Sequence, residues 1–455
     1  MRAHSPDVRL PRPALFAIAA LTLLGLALRI LAARGGLWLD EAWSAIFARD
    51  AGDALHVLLA VRHDNNHILN TLWLQLVGWN APPLAQRALS VASGTAAIPL
   101  AAFLLARRGT APAIIAATGF ALSPLLVTYG SEARGYAPML LGLLAAIAIV
   151  DRWLIRPATP PPAAPLALAI GLGALAHLTI AFGYVAIAGW VMWHRKREAL
   201  RLMAPAGIAL IGVATLLLGG GDLAVGAYQP FALAHWYDGI GELVRFLLGA
   251  PERSKAALPP LAAALVAAWA IFVRDRLAAH HLLAILAFPI AVALIQLGNS
   301  GAPRYFLVAG MAMLLLLADA IGRLWARGGV MRVAACVALM AFAVGSLATD
   351  LALIENRRGD PAKAIDAIVQ RSPNGARIMI DHPRDAAVVE IAAAQAGARL
   401  AIDTGRCADY LFLSRDGSDP LPRAPVRCGA RYRPIVTGHT TGLSGNHWRL
   451  YLRDG

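Results

Sequence analysis

The amino-acid sequence predicts an α-helical polytopic membrane protein with a small α/β domain at its C-terminal end. Three observations predict it. Of the 455 residues, 58% are hydrophobic and only 15% are charged, whereas soluble chains carry about 25% charged residues. Apolar runs of roughly 17–25 residues, the length that crosses a bilayer, recur from the start of the chain to near Asp350. Beyond Asp350 such runs stop, and short strand-like and helix-like patterns alternate. The net charge of +14 is not gathered on one face or stripe. Many basic residues sit in short clusters between apolar runs, as the positive-inside rule requires, which argues against a nucleic-acid partner.

The opening, with Arg2, Arg9 and Arg12 before the apolar Ala14–Ala33, resembles a signal peptide. The run is too long for that and lacks a small-residue cleavage site, so it reads as an uncleaved first span with a cytoplasmic N-terminus. Arg29 lies near its outer end and is expected to snorkel to the interface. The loop 34–86 follows, expected outside. Trp38 and Trp43, flanking Asp40-Glu41, suit interfacial anchoring. Ala42–Arg49 and Asp53–Val61 read as short amphipathic helices, the second capped near Asp53. Ile68–Trp79 spans only about 18 Å at 1.5 Å per residue, too short for a ~30 Å core, and reads as an interfacial helix. Pro82-Pro83 ends it.

Arg87–Ala106 then runs inward to Arg107-Arg108. Ala111–Thr128 returns outward to the turn Ser131–Tyr136, and Ala137–Val150 comes back to Asp151-Arg152 and a Pro-rich linker at 157–165. Leu166–Trp193 is read as a hairpin of two spans turning near His177, which keeps Arg195-Lys196-Arg197 inside. Met203–Leu218 leads to a second outer loop, Gly219–Lys255. Leu258–Val273 comes in to Arg274-Asp275-Arg276, Leu282–Leu297 goes out, Phe306–Ala320 returns to Arg323, and Val333–Leu347 is the last. That makes about eleven spans. The chain thus divides into a membrane unit, 1–349, and an external unit, 350–455.

In the external unit Pro361–Gln370 and Asp385–Ala396 read as helices, the latter capped by Asp385 and stopped at Gly397. Arg377–Ile380, Tyr410–Leu413, Arg431–Val436 and Trp448–Leu452 read as strands, so the unit is α/β. No Gly-rich phosphate loop follows its strands, and its expected role is to cap the membrane-facing site. Cys336 lies within an apolar span, as packing. Cys407 and Cys428 fall in one small unit in an oxidising compartment and are expected to pair.

Ionisable residues gather at the expected outer ends of the spans. These are Asp40, Glu41, His63 and His67 in the first loop, Glu132, Arg134 and Tyr136 in the next turn, His177 in the hairpin, and Arg304 with Tyr305 before a late span. A carboxylate base beside cations that hold a phosphate suits this pattern. His63 and His67 have i,i+4 spacing that zinc accepts, but no third ligand follows at a suitable distance.

Four motifs in order carry a family resemblance: Leu37–Ala42 after the first span, His67 before Ile68–Trp79, Ser131–Tyr136 after the third span, and Pro303-Arg304-Tyr305 before a late one. Over roughly Leu15 to Leu351 the chain resembles the GT-C class of integral-membrane glycosyltransferases. The resemblance is particularly to bacterial relatives of protein O-mannosyltransferases and of the lipid A aminoarabinose transferase. The resemblance implies sugar transfer from a polyprenyl-phosphate donor to a hydroxyl acceptor (lipid, glycan or protein) at the outer face of the cytoplasmic membrane. It places Asp40 at the catalytic-base position with Glu41 as companion, and His67, Arg134 and Arg304 at the donor phosphate. His63, Glu132, Tyr136, His177 and Tyr305 fall in the expected substrate pocket. Ile68-Leu69 replace the family's usual Pro-Pro after the phosphate-binding position. Glu41 and Glu132 are candidates for a divalent ion, but the reading assigns no metal and no cofactor. The rival classes are a lipid transporter or flippase, which expects charges at the midplane and repeated broken helices, and a non-catalytic envelope-assembly protein, against which an intact Asp40 counts.

Overall fold

The computed structural model describes residues 10–156, 158–219, 221, 223–226, 228–273, 276–403, 407–415 and 419–454. Arg2, Arg9, Pro157, Arg274 and Asp275 of the sequence reading lie outside them. Helix α1 (Arg12–Ala32) is followed by three short helices, α2 (Leu39–Ala51), α3 (Ala54–Leu59) and α4 (Ile68–Val77). The bundle continues with α5 (Pro83–Ala106), α6 (Thr110–Leu122), α7 (Pro124–Tyr129), α8 (Tyr136–Leu154), α9 (Ala163–Ala176), α10 (Ile180–His194) and α11 (Lys196–Leu218). It closes with α12 (Leu233–Leu248), α13 (Leu258–Val273), α14 (Ala278–His281), a π-helical turn at Leu282–Ala287, α15 (Phe288–Leu294), α16 (Leu307–Arg327) and α17 (Gly329–Asn356). Among the described residues six helices are long and apolar enough to cross a membrane, and several shorter apolar helices accompany them. The chain is a multi-pass membrane protein.

Local chemistry explains the breaks. Pro83 opens α5 at its first turn, where a missing N–H costs nothing. Pro124 separates α6 from α7 in the same way, with Ser123 extended before it. His177 is extended (φ −165°) between α9 and α10, the expected hairpin. Asp53 caps α3 by accepting from the His56 N–H at 2.9 Å.

Helix α4 does not cross the bundle. Near its start Asn70 Nδ2 donates to the Ala133 carbonyl (2.7 Å), and beyond its end Gln86 Nε2 reaches the Gly78 carbonyl (3.3 Å), so both ends stay at the end of the bundle that holds residues 33–41. Its polar face, with Asn70 and Thr71, turns to the protein, while Leu76 is exposed. At the opposite end Arg107 pairs with Asp151 (2.8 Å), the Arg195 guanidinium lies over Trp153, and Trp190 donates to the Arg276 carbonyl.

Several sequence expectations are corrected. The second loop, 219–255, contains the amphipathic helix α12, whose Leu243, Val244, Phe246 and Leu247 are buried. Arg29 does not snorkel; it is buried and donates to the Gly25 and Phe120 carbonyls at 3.0 and 2.9 Å. Trp38 is buried beside Arg134 rather than anchoring at an interface. Cys336 is exposed, not packed inside the bundle. Helix α17 runs on to Asn356, nine residues past the expected Leu347.

The C-terminal unit holds α18 (Ala362–Arg371), α19 (Ala386–Ala396) and strands β1 (Ala376–Ile380), β2 (Leu400–Asp403), β3 (Tyr410–Arg415), β4 (Val426–Arg427), β5 (Ala430–Gly438) and β6 (His447–Arg453). They form one sheet in the order β2-β1-β3-β6-β5-β4, parallel across β2-β1-β3 and antiparallel thereafter. Ile365 and Ile368 of α18 and Val389 of α19 cover Ile378, Phe412 and Trp448. Gly397 ends α19 in the left-handed conformation, as expected. A disulfide joins Cys407 and Cys428, with Cα atoms 5.8 Å apart. Through Ala387, Val388 and Ile391, α19 packs on Leu37, Ala42, Ala45 and Ile46 of the α2 region.

Candidate active site

Helix α2 begins at Leu39, three residues earlier than the sequence pattern indicates, so Asp40 and Glu41 occupy its first turn. Carboxylates there are favoured by the helix dipole and the free N–H groups. Neighbouring positions on a helix point about 100° apart. The two acids therefore face different surroundings.

Glu41 is sealed. Arg87 grips it with Nε on Oε1 (2.8 Å) and Nη2 on Oε2 (2.5 Å), both side chains being fully buried. The Ala133 N–H donates to Oε1 (2.6 Å), and the Trp38 N–H donates to Oε2 (3.2 Å), the reach-back arm of a capping box. The remaining Arg87 donors satisfy the Ala33, Gly35 and Gly36 carbonyls. Burial pushes the Glu41 carboxyl up, but the Arg87 charge and hydrogen bonds, the Arg358 charge and the Ala133 N–H together outweigh it and hold the group below the usual range.

Asp40 is open. Its side chain is 23% exposed, and Oδ2 receives Nη1 of Arg134, a side chain only 4% exposed. Arg304 Nη1, from the turn before α16, stands 3.7 Å from the same oxygen and is 30% exposed. Asn65 locks the pair: its Oδ1 accepts from Arg134 Nη2 (2.6 Å) and its Nδ2 donates to the Asp40 carbonyl (2.8 Å). The Arg134 guanidinium also lies over the Tyr136 ring, 4.9 Å from its centre.

Beside this pair the His67, Tyr136 and His177 rings pack on one another, with centroids 4.6–5.3 Å apart. The Gly135 N–H donates to His67 Nδ1 (2.8 Å), which leaves the ring proton on Nε2. That buried Nε2–H has no hydrogen-bond partner among the described residues. Burial, then the nearby Arg134 charge, holds His67 well below the usual imidazole range, and the same causes push His177 down to about 3. Both rings are neutral at physiological pH.

The turn and helix ends thus bring Asp40, His67, Arg134, Tyr136, His177 and Arg304 together. Tyr305 lies alongside, under the Arg304 guanidinium. His63 is one step removed: its Nδ1 lies 2.8 Å from Asp64 Oδ1 and 3.0 Å from the Asn65 backbone nitrogen. Glu132 is turned away into the protein, fully buried, 3.5 Å from Arg358. Among the described residues no group of three or more His, Cys, Asp or Glu is placed to hold a metal ion.

No family model and no curated protein sequence matches the chain. Solved structures do. ArnT from Cupriavidus metallidurans in the apo state superposes with a TM-score of 0.58 at 11% identity, over 86% of each chain. The same protein bound to undecaprenyl phosphate gives 0.52 at 10% identity, over 96% of this chain and 97% of that one. The arabinofuranosyltransferase AftD from Mycobacteria gives 0.53 at 16% identity, over 99% of this chain and 40% of its own. The fold is that of the GT-C glycosyltransferases.

Within this GT-C fold, three residues that join the motifs escape a reading of the sequence. Asn65 sits in a polar loop among other hydrogen-bonding residues. Arg87 reads as the first residue of a span, and Arg358 as one of several loop arginines. No local pattern shows that a side chain will find its partner 46 or 227 positions away.

Proposed function

We propose that the protein transfers a sugar from a polyprenyl-phosphate donor to a hydroxyl acceptor, with inversion, and that Asp40 is the general base. The observation that carries this is the convergence of Arg134 and Arg304 on Asp40 Oδ2 at an open rim of the bundle. A donor phosphate held by both guanidiniums replaces Asp40 as their counter-ion and frees its carboxylate. The acceptor hydroxyl then attacks the anomeric carbon, its proton passes to Asp40, and the bond from that carbon to the phosphate oxygen breaks. Polyprenyl phosphate leaves, its charge matched by the arginines, so no dedicated acid is required. The neutral His67 contributes its free Nε2–H to a phosphate oxygen. Glu41 holds Asp40 in place rather than touching substrate, because Arg87 and two backbone N–H groups occupy it.

The site end of the bundle is assigned to the outer face of the cytoplasmic membrane. Support comes from the opposite end, which carries Arg107, Arg108, Arg152, Arg195 and Arg276, as a cytoplasmic face should. The N-terminus is then cytoplasmic, and the sheet unit after Asn356 is external. Reading the bundle and the sheet unit as two domains, the second covers the α2 helix of the first. The donor class fits the undecaprenyl phosphate bound by ArnT. The acceptor is a lipid, glycan or protein carrying a free hydroxyl. Mass spectrometry of envelope glycolipids and glycans in a deletion strain tests the reading: loss of one sugar substituent, restored by the wild-type protein but not by Asp40→Asn, is expected. An unchanged glycome overturns it.

A further inference from the structure

The chain leaves α17 through a turn with no counterpart elsewhere in the described residues. Arg357, Arg358, Gly359 and Asp360 all have positive φ, at 48°, 56°, 89° and 45°. Three of these four residues are not glycine and would ordinarily avoid the left-handed region, and backbone of this kind persists only where its surroundings hold it. Here the sheet unit does the holding. Trp448 Nε1 donates to the Gly359 carbonyl (2.7 Å), and the Asn446 N–H donates to the Arg358 carbonyl (3.3 Å). The backbones meet so closely that a Cβ on Gly359 would come 2.3 Å from the Asn446 carbonyl oxygen, and one on Gly445 would come 2.5 Å from the Arg358 carbonyl oxygen.

The result is that Arg358, fully buried, is driven under the turn that carries Arg134. Its Nη1 donates to the Ala32 carbonyl (2.6 Å), and its Nη2 donates to the Thr128 carbonyl (2.9 Å) and Ser131 Oγ (2.7 Å). Its Nε lies 3.5 Å from Glu132, whose carboxyl burial raises above its usual range while Arg358 opposes that rise. The same unit also grips the segment that leads into Asp40. Asp360 Oδ1 accepts from the Gly36 N–H (2.8 Å), and Asn446 Oδ1 accepts from the Leu39 N–H (3.3 Å). One left-handed turn therefore touches both strands of chain that deliver the reacting pair. Attachment of the sheet unit does not require this, since α19 already packs its apolar face on α2. A buried ion pair is also a poor source of net stability.

We propose that Arg358 is a positioning residue: presented by the left-handed turn of the sheet unit, it fixes the 131–135 turn through Ser131 and Glu132 and so sets Arg134 against Asp40. This rests on the reading of Asp40 and Arg134 as the reacting site. The test uses the full chain purified in detergent, with Arg358→Met, Arg358→Lys and the charge-neutral double variant Glu132→Gln/Arg358→Met. In Arg358→Met, amide exchange in 130–136 should accelerate at least about tenfold, while 362–371 and 386–396 exchange as in the wild type. The transfer rate should fall at least about thirtyfold. The double variant should recover about tenfold of that loss, because it no longer buries an unpaired carboxylate. Lys should recover less, since one ammonium cannot serve three acceptors in Arg358's planar geometry. Unchanged exchange in 130–136, or equal acceleration across the whole sheet unit, overturns the proposal and makes Arg358 a staple between the two units. If the wild type transfers no sugar from a polyprenyl donor, the functional reading falls, and the exchange arms still decide whether Arg358 holds the turn.

Discussion

Asp40 and Glu41 are adjacent, carry the same chemistry and share one helix turn, yet their surroundings differ. The Glu41 side is closed, with every carboxylate oxygen accepting from Arg87 or backbone and no exposure to solvent. The Asp40 side is open at a rim, and its two arginines arrive from separate turns of the bundle. A carboxylate consumed by fixed donors has no capacity for a proton in transit. One that shares its arginines with an incoming anion does. The comparison assigns structure to one residue and chemistry to its neighbour, and variants on each side can break it.

The largest effect is expected at Asp40. Asp40→Asn keeps the shape and removes the base, which typically costs ~10²–10⁴ in rate. Transfer by the purified variant should therefore fall below a hundredth of wild type while the protein melts normally. A well-folded Glu41→Gln protein that is dead, beside an active Asp40→Asn, would exchange the two roles.

On the closed side the loss should appear as stability. Glu41→Ala leaves Arg87 charged, buried and unpaired, and breaking such a pair from one side costs about 3–5 kcal/mol. Thermal melts in detergent should show a large drop for Glu41→Ala and a smaller one for Glu41→Leu/Arg87→Met, in which no charge is left alone. A melt for Glu41→Ala equal to wild type would mean that the closed side does not hold the fold.

Donor binding separates the arginines of the open side from mere helix-end anchors. Charged hydrogen bonds are worth ~1.5–3 kcal/mol, so Arg134→Ala and Arg304→Ala should each weaken undecaprenyl phosphate binding by roughly tenfold or more. Lys should rescue Arg304 better than Arg134. Arg304 meets Asp40 at 3.7 Å as a charge, whereas Arg134 uses two nitrogens on Asp40 and Asn65. Full rescue by Lys at both positions would reduce them to anchors.

How much of this was legible follows from the range of each signal. Apolar runs reveal bundle helices because lipid imposes length and hydropathy locally, and the His177 break was readable as polarity inside a run too long for one span. Helix α12 was readable too, from Leu243, Val244, Phe246 and Leu247 on one face, but it hid within a segment already taken for a loop. The strands β2 and β4 are four and two residues long, too short for alternation to register. At the site, Asp40, Arg134 and Arg304 stood out because acids and bases gather together at the expected outer ends of the spans. The different fates of Asp40 and Glu41 did not, because the position of Arg87 relative to them is set by tertiary packing alone. The left-handed turn at 357–360 carries a Gly at one position only, so its conformation left almost no trace in sequence.

The smallest effect concerns pH, and it sharpens the open side. His177 is held at about 3, and His67 lies well below its ordinary 6.5, chiefly through burial. Both are neutral when folded and take up a proton when unfolded. For His177 the unfolded chain binds more protons between about 6.5 and 3, so its contribution to stability is fully present above 6.5 and declines as pH falls through that window, by at most ~1.4 kcal/mol per unit, and His67 acts in the same direction. The melting temperature should therefore drop on acidification from pH 7 to 5, and His177→Gln should flatten that slope. Turnover over the same range should show no histidine titration, since neither ring changes charge in the folded protein. A rate profile with an inflection near 6.5 that disappears in His67→Gln would mean that His67 meets the donor phosphate as a cation, and that the neutral Nε2–H is not the group that binds.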